Sequence, residues 1–290
     1  MKSEIALRKI IEAGEVKKDD VILEIGPGKG ALTEKLLERI YPHPASPYVG
    51  GGAKGGGGMV IAVEKDRELF EFLKVKFEKE INIRSLILVH DNILNFNTRT
   101  YNLEPRTYKV IANIPYNITG AILKKFLTEE NQPESMVLMV QNEVAKRITT
   151  PNPSSTRRGG KESILSISVK AYGEPKMIMK VEKRYFSPQP KVDSAVITIK
   201  NISRKIFETP PQPSPKEREE SKSSPLGGGR EGVNEDKFWK IVKAGFAHKR
   251  KKLSSNLKGI LACQGAPLTL VKDKRAEDLA LADWIALAKM

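Results

Sequence analysis

A chain of 290 residues that is 39% hydrophobic can bury one large core and a second small one, so one or two domains are expected. Fifty Lys and Arg against 35 Asp and Glu leave a net charge of +15, which favours a polyanionic partner, nucleic acid ahead of an anionic membrane surface. A single cysteine, Cys263, excludes an intramolecular disulfide and a cysteine-based zinc cluster, and three histidines leave little for other metal sites, so no metal is expected. The opening MKSEIALRKIIEAGEV intersperses charge and lacks an apolar core of signal-peptide length, and no later apolar run is long enough for a bilayer. A soluble, cytoplasmic protein without a membrane partner is expected.

In chain order, VILEI (21 to 25), MVIAV (59 to 63), LILVH (86 to 90), KVIAN (109 to 113) and MVLMVQ (136 to 141) are short, nearly continuous apolar runs. Strands buried on both faces of a parallel sheet read this way. Amphipathic stretches such as ALTEKLLERI (31 to 40) and RELFEFLKVKFEK (67 to 79) follow most of them, which predicts a doubly wound α/β domain with ligands at the carboxyl ends of the strands. ESILSISVKAY (162 to 172) and DSAVITIK (193 to 200) alternate and predict antiparallel strands closing the sheet's edge.

Three segments interrupt this pattern: 41 to 58, 149 to 160 and 208 to 232 each begin with Pro and Ser and drift into Gly. They hold too little apolar surface to offset their ordering entropy and read as solvated loops. Beyond them, Phe238, Val242, Phe246, Lys249, Leu253, Leu257 and Ile260 recur in steps of three and four, which predicts one helix face, ended near Gly259. RAEDLALADWIALA (275 to 288) adds a second helix. The expected organisation is a domain over 1–206 carrying the insertions 41–58 and 149–160, a disordered linker or insertion over 207–234, and a small helical domain over 235–290.

The first strand runs into Gly26-Pro27-Gly28-Lys29-Gly30 and then a helix. Such glycines let the backbone turn tightly and approach a nucleoside, although a glycine turn also occurs for packing alone. Nucleoside-binding sheets place an acid about 20 residues past the glycines, where it accepts the ribose hydroxyls. From Gly26 to Glu64 the gap is 38, and removing the 18 residues of the first insertion restores 20. Asp91, after the third strand, is an acceptor suited to an adenine amine and equally a turn former. To this point nicotinamide and S-adenosylmethionine enzymes fit alike, and Gly26, Gly28 and Ala31 satisfy G-x-G-x-x-G/A.

Asn113-Ile114-Pro115-Tyr116 closes the fourth strand and separates these readings. The lone pair of an adenine amine is delocalised into its ring, so the amine is a poor nucleophile until acceptors hold its hydrogens. Asn113 offers a side-chain carbonyl, Pro115 fixes a turn that can present a backbone carbonyl, and Tyr116 offers a ring for an extruded base. A neutral amide also keeps a full carboxylate away from a sulfonium donor.

EIGPGKGALTEKL, AVEKD, ANIPYNIT, VLMVQNEVAKRI and YFSPQPKVDSAV together resemble the ordered motifs of the ribosomal RNA adenine N6-dimethyltransferases, and FWKIVKAGFAHKRKKLSSNLK is similar to the C-terminal helix of the small-subunit branch. The resemblance implies a Rossmann-like class I methyltransferase sheet with a small C-terminal helical domain. It implies S-adenosyl-L-methionine as cofactor, with Gly26 and Gly28 bordering its methionine part, Glu64 on the ribose, Asp91 on the adenine and Asn113 also among its contacts. Asn113 and Pro115 would hold the target amine, and Tyr116 and Phe186 would sandwich the target base. Two adjacent adenines in the 3′-terminal hairpin of small-subunit (16S) rRNA are the implied substrate, with immature 30S subunits as partner and the chain acting as a monomer. Lys249, Arg250, Lys251 and Lys252, in the run HKRKK, are the expected phosphate contacts. A large-subunit (23S) rRNA methylase and a non-catalytic ribosome-assembly factor are the alternatives. The family's Gln-x-Phe-Leu segment ahead of the first helix is not matched in this sequence, so the expectation is that the start is truncated, that another segment covers the cofactor, or that affinity for it is reduced.

Overall fold

The computed structural model describes residues 3–41, 57–151, 153, 160–208, 232–262 and 273–290. They form two compact units, one from Met1–Thr149 with Gly173–Ile202 and the other from Thr150–Tyr172 with Ser203–Met290.

The first unit is built on a seven-stranded sheet of β1 (Val21–Ile25), β2 (Met59–Glu64), β3 (Leu86–His90), β4 (Tyr108–Asn113), β5 (Ser135–Gln141), β6 (Glu174–Val181) and β7 (Ser194–Lys200). The order is β3-β2-β1-β4-β5-β7-β6, with β1 to β5 parallel and β7 antiparallel to both neighbours. Helices α1 (Glu4–Ala13), α2 (Ala31–Ile40), α3 (Arg67–Lys76), α4 (Glu78–Asn82), α5 (Thr119–Thr128) and α6 (Asn142–Ile148) accompany it. The strand sequences explain the layering: Ile22, Leu23, Val60, Ile61, Ala62, Val110, Ile111 and Ala112 are fully buried, as residues covered on both sheet faces must be. Ser3 and Asp66 cap α1 and α3 by accepting from Ala6 N–H (3.2 Å) and Leu69 N–H (2.9 Å). The strand order reverses between β1 and β4, which opens a crevice at their carboxyl ends.

In the second unit the regular elements among the described residues are helices: α7 (Ile164–Lys170), α8 (Glu235–Gly245), α9 (Leu253–Ala262) and α10 (Leu281–Lys289), with a short 3-10 turn at Ala276–Asp278. Gly245 lets α8 approach α10, since a Cβ there would fall 2.4 Å from the Trp284 ring. Tyr172 and Arg204 both hydrogen-bond Glu235, and Trp239 Nε1 donates to Tyr172 Oη at 3.1 Å. No helix among the described residues is long and apolar enough to cross a membrane.

Three expectations change. Residues 164–170 form helix α7 rather than a strand, because Ser163 and Ser166 close a reciprocal capping box that starts a helix locally. The edge strand is instead β6, where Pro175 is tolerated because an edge has a free side and where exposure alternates along EPKMIMKV. The long C-terminal helix is two helices: Asn256 Nδ2 donates to the carbonyls of Gly245 (2.6 Å) and His248 (3.2 Å), ending α8 and folding 246–252 into a turn. Like charges three and four apart destabilise a helix, so five successive basic or His side chains at 248–252 disfavour its continuation there. Gly259 then lies inside α9, and Lys249 is exposed in the turn rather than on an apolar face.

The bodies of the insertions, 42–56, 154–159 and 209–231, lie outside the described residues. The roots of the first and third are closed. Tyr41 Oη donates to the Gly58 carbonyl at 2.8 Å, and Val233 N–H donates to the Ile206 carbonyl at 2.9 Å. Residues 150–172 and 203–206, placed by the sequence reading in the first domain, belong to the second unit.

Candidate active site

Past the end of β1 the chain turns through Gly26, Gly28 and Gly30 at φ of 63°, 61° and 78°, left-handed values that disfavour a side chain. Gly30 also has no room for one, since a Cβ would lie 2.5 Å from the Phe77 ring. At Gly28 a Cβ would meet nothing within 4 Å, and at Gly26 only Pro115 Cδ at 3.9 Å. The loop therefore presents bare backbone beside the turn that follows β4.

Glu64, at the end of β2, is only 6% exposed and holds this loop: Oε2 accepts from Gly28 N–H at 3.1 Å and Oε1 from Asp66 N–H at 2.9 Å. A carboxylate has about four acceptor positions, so two remain for ligand hydroxyls. Asp91 is joined to the same point, its N–H donating to the Glu64 carbonyl at 3.1 Å, while its Oδ1 accepts from Asn92 N–H at 2.6 Å.

Asn113 ends β4 half-buried, in register with Met139 of β5. Pro115 is exposed, and its carbonyl accepts from Ile118 N–H at 3.3 Å, which opens a 3-10 turn ahead of α5. Tyr116 is half-buried and its hydroxyl shares a hydrogen bond of 2.5 Å with Ser194 Oγ, at the start of β7. Phe186, after a 3-10 turn at Lys183–Tyr185, is half-buried against a core cluster that includes Leu7, Met139, Val181 and Val196.

The fold thus gathers Gly26, Gly28, Glu64, Asp91, Asn113, Pro115 and Tyr116 at the carboxyl ends of β1 to β4, with Phe186 on the β6–β7 connection. Lys249, Arg250, Lys251 and Lys252 are all exposed in the α8–α9 turn of the second unit, and Lys252 is paired with Asp273 at 2.8 Å.

Two residues of this region went unread. Ser194, fully buried, anchors Tyr116 and lay unremarked in DSAV. Glu24 is a lone charge in VILEI, 1% exposed, with an Oε2 that has no hydrogen-bond partner. Burial pushes its carboxyl up to about 8, with Thr33 beside it easing the shift and the Glu64 charge adding to it.

Residues 1–46 and 57–210 match the family model described as ribosomal RNA adenine dimethylase, and the unmatched 47–56 fall within the first insertion. Ribosomal RNA small subunit methyltransferase A of Dehalococcoides mccartyi strain CBDB1 is 35% identical, covering 97% of this chain and 82% of the relative. The protein of the same name from Rippkaea orientalis is 34% identical, covering 100% of this chain and 94% of its own. A crystal structure of a dimethyladenosine transferase from Plasmodium falciparum superposes with a TM-score of 0.67 at 22% identity, over 99% of this chain and 95% of the other. That structural likeness gives the class I methyltransferase fold, and with sequence identity running nearly end to end, this chain belongs to the ribosomal RNA adenine dimethylase family.

Proposed function

We propose that the chain catalyses S-adenosylmethionine-dependent N6-dimethylation of two adjacent adenines in the 3′-terminal hairpin of small-subunit rRNA, acting as a cytoplasmic monomer on immature 30S subunits. The observation that carries the reading is the Asn113–Tyr116 turn, set against the side-chain-free glycine loop, where a Cβ added at Gly26 would lie 3.9 Å from Pro115 Cδ. Relatives named for small-subunit rRNA methylation and matching nearly the whole chain support the choice of RNA.

The residues fit the cofactor. Gly28 leaves open space at the loop, Glu64 keeps two acceptor positions, and Glu24 holds an unpartnered carboxyl oxygen beneath them. Bound there, S-adenosylmethionine supplies an activated methyl group. Glu64 accepts from the ribose hydroxyls and Asp91 from the adenine amine. Asn113 accepts a hydrogen bond from N6 of the target adenine through its side-chain carbonyl, and the Pro115 turn supplies a backbone acceptor for the other hydrogen, which frees the nitrogen lone pair for attack. Tyr116 and Phe186 hold the two faces of the flipped base. Rate enhancement comes mainly from this positioning, and no strong general base is needed because the methylated amine is briefly cationic and acidic. Lys249, Arg250, Lys251 and Lys252 neutralise RNA phosphates.

The test is transfer of labelled methyl groups to a mixture of unmethylated small and large subunits. Wild-type chain labels the two adjacent adenines, and Asn113→Ala lowers the rate about 100-fold or more, the scale of losing one acceptor that acts in the transition state. Label confined to large-subunit RNA would select the 23S methylase instead, and tight binding without any label would select the assembly factor.

A further inference from the structure

A cavity of about 350 Å³ opens at the carboxyl end of β5, lined by Gln141, Asn142, Glu143, Lys183, Lys191, Val192 and Asp193. Its volume is within the range of about 300–1,000 Å³ typical of ligand clefts. No residue in this lining belongs to the transfer site described above, yet the two adjoin. Ser194, bonded to Tyr116 at 2.5 Å, directly follows Asp193, and Gln141 lies two residues beyond Met139, the partner of Asn113.

The charges of the lining are arranged for an anion with a base attached. Asp193 is paired with Lys180 at 2.7 Å and accepts from Lys183 N–H at 2.9 Å, and Glu143 is paired with Arg147. Each acid has a cationic partner of its own, whereas Lys183 and Lys191 form no salt bridge among the described residues, although Lys180, helped by the Lys183 charge, holds the Asp193 carboxyl below its usual range. Val192 is 45% exposed and offers an apolar surface for a ring. Asn142 lines the cavity with its Oδ1 buried and without a hydrogen-bond partner, so a turn of the amide is needed to present that acceptor to a donor in the cavity. Paired Asn and Gln amides suit adenine, whose edge offers an amine donor and a ring-nitrogen acceptor.

We propose that this cavity seats the adenine nucleotide next to the target adenine in the RNA strand, with Asn142 and Gln141 reading its base and Lys183 and Lys191 its phosphate. The proposal rests on the methyltransferase reading above and adds a specificity subsite to it. While one adenine lies between Tyr116 and Phe186, its neighbour occupies the cavity, which ties selection of the target to an adjacent adenine.

The experiment compares unmethylated small subunits with subunits carrying uracil in place of the adenine beside the target, for wild-type chain and Asn142→Ala. Uracil lacks the amine, so wild-type kcat/KM falls about 5- to 150-fold, the usual discrimination of one bidentate pair. Asn142→Ala is slower on the natural subunits and loses the preference, with KM for S-adenosylmethionine unchanged in both proteins. Retention of the wild-type preference in Asn142→Ala overturns the subsite. Equilibrium binding of the same four combinations separates the two layers: the adenine preference without transfer would sink the catalytic reading and keep the subsite. Transfer with no adenine preference in either measurement would do the reverse.

Discussion

At the residue scale the most consequential surprise is Glu24. A carboxyl fully removed from water, with one oxygen unpartnered and the Glu64 charge nearby, is easier to keep protonated than charged. Its folded value, about 8, lies above the ordinary 4.5, so in that window the folded chain binds a proton that the unfolded chain has released. Stability from this group is complete below the unfolded value and is lost as pH rises through the folded one, by about 1.4 kcal/mol per unit. Melting temperature should fall as pH is raised from 5 to 8 in wild-type chain, and Glu24→Gln should flatten the curve. Parallel curves for the two proteins would show that Glu24 is ionised in the fold. The placing of Gly26 and Glu64 at the strand ends was legible at this scale because each depends on backbone freedom or charge at a fixed spacing. That of Ser194 was not, since its partner Tyr116 is 78 residues away.

At the scale of elements, local chemistry decided where periodicity misled. Alternation in ESILSISVKAY suits a strand, but the Ser163–Ser166 box satisfies the first free N–H groups of a helix, and α7 forms. The apolar steps from Phe238 to Leu257 are real, with Phe238, Val242, Leu253 and Leu257 all fully buried, yet they run through a turn. A turn can preserve a face, so spacing alone does not reveal the break. The first insertion is an element of the opposite kind, since β2 and the Glu64 bond to the glycine loop form on its far side. With its root held by the Tyr41–Gly58 bond and by Gly58 N–H donating to the Lys18 carbonyl at 2.7 Å, replacing 42–56 by a short turn should barely change stability. Loop length enters only logarithmically, about 0.6 kcal/mol per doubling, so a shift of a few degrees in melting temperature is expected. Loss of cooperative unfolding would instead assign the insertion a structural part.

On the scale of the whole molecule, the proposed RNA binding depends on net charge and its placement. Lys249, Arg250 and Lys251 are exposed and without ion pairs among the described residues, whereas Lys252 is held by Asp273. Neutralising the first three together should lower the slope of log binding constant against log salt by about 2 to 3 and weaken binding to all RNA sequences alike. An unchanged slope would move the phosphate contacts to another surface. The sequence by itself determined the parallel sheet, the glycine loop, the respaced Glu64, the Asn113–Tyr116 turn and the family, because these depend on residue type over short spans. Only the tertiary structure decided that β6 is the edge strand, that Glu24 is sealed from water, that residues 150–172 belong with the C-terminal helices, and that a cavity lies beside the Tyr116–Ser194 bond. Those outcomes depend on which distant segments pack together, and burial and strand neighbours are properties of that packing, to which no single stretch of residues holds the key.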